Sequence, residues 1–80
     1  MKPYQERVVA EKAEIEEVVN QTKTRLGALK PFLGRPAFRD LPEAEQARML
    51  AQAATMKTFI AAGEAYVEVL AARIEAFESD

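Results

Sequence analysis

Along two long stretches of this chain, apolar residues return at every seventh position. In the second half Ala53, Ile60, Val67 and Ile74 form one row, and Met49, Met56, Gly63, Leu70 and Phe77 form the row beside it. The first half carries Val19, Leu26 and Leu33 beside Val8, Ile15, Thr22 and Leu29. Seven residues are close to two turns of an α-helix, so each pair of rows makes one apolar stripe on an otherwise polar cylinder. Between the stretches lies "KPFLGRPAFRDLPEAE", where Pro31, Gly34, Pro36 and Pro42 each disfavour a continuing helix. Pro3 suits a first helical turn, and Glu43 and Glu45 after Pro42 place acids on the positive end of a helix dipole. The pattern predicts a helix over about residues 3–30, a connector over about 31–41 and a helix over about 42–77.

The expected fold is therefore all-α, a single domain over residues 1–80: an antiparallel two-helix hairpin with a short helical turn in the connector around Phe38 and Leu41. Closing the hairpin tightly, with Leu33 beside Pro42, sets Leu26 against Met49, Val19 against Met56, Ile15 against Ile60 and Val8 against Val67. It also sets Lys12 opposite Gly63. In that register the second helix overhangs the first by about 10 Å or more. Ile74 and Phe77 then lack a partner within the chain, and assembly into a homo-oligomeric helical bundle is expected to cover them. The alternative cover is the segment from Met1 to Tyr4.

A further row sits beside each stripe. Tyr4, Glu11, Val18, Arg25 and Phe32 repeat by seven in the first helix, and Gln52, Phe59, Tyr66 and Arg73 do so in the second. An antiparallel pairing brings both rows to one flank. Rings and guanidinium groups together are the make-up of an interface anchored by aromatic and arginine side chains. Two readings stay open at this point. The flank assembles copies or adaptor partners, with the arginines paired to Glu11 or Glu64, or it also holds a small anionic ligand, with rings stacking on bases and guanidinium groups on phosphates. Tyr4 and Arg25 stand about 31 Å apart along one helix, so a small-ligand pocket using both must be built between subunits.

Composition narrows the chemistry. The chain has 80 residues with neither cysteine nor histidine, which removes disulfides, thiolate nucleophiles, the usual zinc ligands and the commonest general base. Its one serine, Ser79, lies at the end of the second helical pattern, so a non-enzymatic protein without cofactor is expected. Glu11, Glu14, Glu16 and Glu17 point to different sides of a helix and read as a solvated face, not a metal site. No apolar run approaches the roughly 20 residues of a membrane span, and "MKPYQERVV" has no apolar signal-peptide core, so a cytoplasmic location is expected. A net charge of −2 argues against coating long nucleic acid. Yet no acid falls between Glu17 and Asp40, where Lys23, Arg25, Lys30, Arg35 and Arg39 make one end basic.

The segments "PYQERVVAEKAEI", "LKPFLGRPAFRDLPEAEQARMLAQAATM" and "YVEVLAARI" resemble a family of very small helical phage proteins related to a crAss-like phage protein, which includes the phage anti-CBASS sponges. The resemblance spans nearly the whole chain. It implies a helical oligomer, a hexamer in the sponge, that sequesters cyclic oligonucleotide second messengers of host immunity between subunits without cleaving them. Such a protein acts in the host cytoplasm during infection. Tyr4 and Arg7 match the start of the family pattern, Phe32 and Leu33 the approach to the connector, Gln52 and Met56 the next step, and Tyr66, Leu70, Arg73 and Ile74 the end. Both helices look lengthened by one heptad, so the family's helix-one lysine falls near Val18 counted from the start and at Arg25 counted from the connector. The ligand-binding set implied is Tyr4, Arg7, Lys23 or Arg25, Tyr66 and Arg73, taking a cyclic di- or trinucleotide. A structural coiled-coil assembly or adaptor protein with no small ligand is the alternative.

Overall fold

The computed structural model describes residues 1–79, so Asp80, the last residue of the expected domain, lies outside the described residues. Among the described residues every regular element is helical: α1 (Pro3–Leu33), the single turn α2 (Pro36–Arg39) and α3 (Glu43–Phe77). Pro3 opens α1, and the Gln5 side chain reaches back to accept the Lys2 backbone N–H at 2.8 Å, which satisfies one donor of the first turn. α1 runs through Pro31 to Leu33, beyond the expected end at residue 30. A proline so close to the terminus forfeits one intrahelical hydrogen bond. In return Phe32 is carried to an edge-on contact with Phe38 of α2, with centroids 6.1 Å apart and ring planes at 87°.

α2 caps the end of the hairpin. Phe38 is buried there, and Gln46 in the second turn of α3 donates from Nε2 to the carbonyls of Arg39 (3.1 Å) and Leu41 (2.8 Å). Those carbonyls face the end of a helix and a bend, where no backbone donor is at hand, so one side chain holds the connector against α3.

α1 and α3 pack antiparallel over a rod 58 Å long. Val8, Val19 and Leu26 of α1 and Ala53 and Leu70 of α3 are buried, with Ile15, Met56, Ile60, Val67 and Ile74 half-buried around them. The stripes read from the sequence are therefore the seam, but the register differs from the expected one. Tyr4 meets Phe77, Lys23 meets Glu64, and Val19 packs directly on Gly63. Val19 and Tyr4 meet residues seven and six further along α3 than the tight closure implies, about one heptad, and the long Lys23 side chain reaches one twelve further along. The connector explains the slip: the first two turns of α3 run past the end of α1 beneath α2, so the overhang falls at the closed end and Phe38 covers it.

Two expectations are corrected as a result. Ile74 and Phe77 do not protrude without partners; both are half-buried, and Phe77 takes the edge of the Tyr4 ring at 5.7 Å with planes at 85°. Lys12 is not opposite Gly63. It pairs with Glu16 at 2.7 Å and shares a groove with Ala71 and Ile74. The need for other subunits cannot rest on an exposed helix end, and must be sought along the sides of the rod.

Candidate ligand-binding flank

The two rows beside the seam do meet on one flank. The Tyr66 hydroxyl donates to the Glu11 carboxylate across the α1–α3 groove. The same antiparallel offset brings Val18 level with Phe59, Arg25 with Gln52, and Tyr4 with the last turns of α3, where it meets Phe77. Tyr4, Phe59 and Tyr66 are 43%, 44% and 42% exposed, and Val18 is exposed between them. These half-exposed rings, Phe59 and Tyr66 seven residues apart on α3 and Tyr4 on α1, leave apolar surface along the rod, of the kind that meets another surface or a planar ligand.

Arg7 and Arg25 lie 18 residues apart, five full turns, so they share one azimuth on α1, and Val18 lies between them on that line. Arg73 follows Tyr66 by seven on α3. All three arginines are exposed. Among the described residues the ion pairs are Lys12–Glu16, Lys23–Glu64 and Arg48–Glu45, and none of the three arginines takes part in them. The acid nearest this flank in sequence pattern, Glu11, is taken by the Tyr66 hydroxyl. The flank thus combines exposed π-faces with guanidinium donors that protein carboxylates leave unclaimed, an arrangement suited to a flat anion.

The six residues singled out in the sequence do not all gather here. Tyr4, Arg7, Arg25, Tyr66 and Arg73 fall along the aromatic flank, spread over its length. Lys23 does not, because two residues are 200° of helix, and its ammonium is held by Glu64 at 2.9 Å on the opposite side of the rod. Phe59 belongs to the flank although the family pattern did not point to it; its seven-residue spacing to Tyr66 already places it in that row. On the other side two grooves open along the rod, one lined by Lys23, Leu26 and Lys57 near the connector and one by Val9 and Glu75 near the open end.

Among the described residues no group of His, Cys, Asp and Glu is placed to hold a metal ion, and no helix is long and apolar enough to cross a membrane. Comparison with curated proteins and with solved structures returned no match. A family model does match, over residues 2–76, almost the whole described chain. A helical hairpin with an aromatic flank, whose guanidinium groups take no part in the ion pairs of the described residues, accords with that match: the chain belongs to the Sequestin family, whose name denotes sequestration.

Proposed function

We propose that this protein is a phage anti-defence sponge that sequesters cyclic di- or trinucleotide immune messengers between its subunits and releases them uncleaved. Sequestration needs only an affinity below the signalling concentration, so a chain without histidine or cysteine can silence a pathway. The observation that carries the reading is the exposed ring row of Tyr4, Phe59 and Tyr66 flanked by Arg7, Arg25 and Arg73, none of them in an ion pair among the described residues. Rings stack on bases whatever the base, and guanidinium forks take phosphate oxygens in pairs. Arg25 takes the part of the family's lysine, since Lys23 faces away and is paired. The ends of the flank are too distant for one chain to close a pocket around a small ring, so rings from one copy and arginines from another enclose it, in a hexamer as in the resembled sponge.

The alternative, an assembly protein whose flank only buries itself against copies or partners, draws on the exposed Val18 within the same strip. Titration calorimetry separates the two. Cyclic dinucleotides and trinucleotides are expected to bind the wild type and to be recovered intact after the complex is denatured, with binding weakened by Arg73→Ala. No heat and no thermal shift with any of them leaves the assembly reading in place, and recovery of cleaved nucleotide rejects a pure sponge.

A further inference from the structure

The chain has four glutamines and four threonines, and in each type one member stands apart from the rest. Gln5 accepts the Lys2 backbone N–H, Gln21 donates to Glu17, and Gln46 donates to the carbonyls of Arg39 and Leu41. Thr22, Thr24 and Thr58 each donate to the carbonyl four residues back. Gln52 and Thr55 make no side-chain hydrogen bond among the described residues, and both are exposed.

These two fall beside the same ring. Gln52 precedes Phe59 by seven residues and Thr55 precedes it by four, so both share the side of α3 that carries the exposed Phe59 ring, about 10 Å and about 6 Å from it along the axis. On α1, Val18 is level with Phe59 and Arg25 with Gln52. The surroundings of the ring are therefore polarised: toward the connector stand a carboxamide and a guanidinium group outside the ion pairs of the described residues, and toward the open end stands the carboxylate of Glu11.

A base stacked on a ring is held by its face, and every base has one, so selection between bases falls to groups that meet the edge. A carboxamide both accepts and donates. Its oxygen takes a proton from the N6 amino group of adenine while its nitrogen donates to N7, whereas guanine presents two acceptors, O6 and N7, along the same edge. Glu11 repels phosphate from the open-end side, and Arg25 draws it to the connector side. Resting on the sponge reading, we infer that Gln52 is the base-selecting residue of the flank, and that the messenger carries adenine stacked on Phe59 with its N6 and N7 edge on the Gln52 carboxamide. Thr55 is a positioning residue: three residues from Gln52 and on the same face, its hydroxyl donates to the amide oxygen, which keeps its second lone pair for N6 while the amide nitrogen is turned to N7.

Titration calorimetry of the full chain with cyclic di-AMP and cyclic di-GMP, which differ only in the bases, tests this. The wild type is expected to bind cyclic di-AMP about 10- to 100-fold more tightly, the discrimination given by a bidentate edge contact. Gln52→Leu should bring cyclic di-AMP down to the level of cyclic di-GMP with the latter unchanged, and Gln52→Arg, whose guanidinium matches O6 and N7, should reverse the order. Thr55→Val should shrink the preference without altering affinity for cyclic di-GMP, and Thr55→Ser should restore it. Equal binding of the two by the wild type, a preference for cyclic di-GMP, or a preference that survives Gln52→Leu overturns the inference and leaves the sponge reading in place. If neither dinucleotide binds, the inference falls, and if cyclic trinucleotides fail as well, the sponge reading falls with it.

Discussion

The Cγ2 methyl of Val19 fills the space that a Cβ on residue 63 would need, and Gly63 is the residue that makes this contact possible. Val19 is buried and β-branched, so it has little freedom to move aside. This one contact pins the register of the hairpin near its middle. Gly63→Ala should therefore destabilise the fold by about 1–3 kcal/mol, although alanine is by about 1 kcal/mol the better helix former. Urea unfolding of Gly63→Ala, Val19→Ala and the double variant checks this, the double being expected to cost less than the two singles together.

Leu70 and its neighbour Val69 make opposite predictions. Leu70 is 1% exposed, the most completely buried large side chain, while Val69 is 58% exposed. Leu70→Ala is expected to cost about 2–5 kcal/mol, a large share of the stability of so small a domain, and Val69→Ala within about 0.5 kcal/mol of nothing. Thermal unfolding followed by circular dichroism distinguishes them.

Gln46→Ala removes both hydrogen bonds to the Arg39 and Leu41 carbonyls. Because Gln46 is half-buried and water can reach the freed carbonyls, the expected loss is about 1 kcal/mol. Hydrogen exchange should quicken in the connector and the first turns of α3, with the open end around Tyr4 and Phe77 unchanged.

Tyr4 serves the hairpin and the proposed site with the same ring. Tyr4→Phe keeps the edge contact to Phe77 and the stacking face, so stability and nucleotide affinity should stay near wild type. Tyr4→Ala should weaken binding by the equivalent of about 1–3 kcal/mol, the worth of one base stacked on a ring. Calorimetry on both variants separates a stacking role from a general loss of fold.

Glu11 is the one acid in the aromatic rows, and the Tyr66 hydroxyl holds it. On the sponge reading its charge opposes an anionic ligand, so Glu11→Gln should tighten nucleotide binding a few-fold, with the gain largest at low ionic strength, where the charges are least screened. An unchanged affinity would place the phosphates away from the middle of the flank.

The candidate flank was legible in part. Spacing by seven was enough to put Tyr66, Phe59 and Arg73 on one side of a helix and Tyr4, Val18 and Arg25 on one side of another, since side-chain direction follows from helical pitch alone. Between the alternatives Lys23 and Arg25, neighbours along the chain, the 200° of helix separating them puts Lys23 on the other side of the rod, paired with Glu64.

By itself the sequence determined that there are two long helices, where they break, and which stripe of each faces the other, because periodicity, proline and glycine act over a few residues. The register was decided by the tertiary structure. A seven-residue repeat matches itself equally well after a shift of seven, so no count of apolar positions can choose between the tight closure and the observed one. The choice came from shape: α2 needs the first turns of α3 to rest on, Val19 needs the gap at Gly63, and only the slipped register lets Tyr4 reach Phe77.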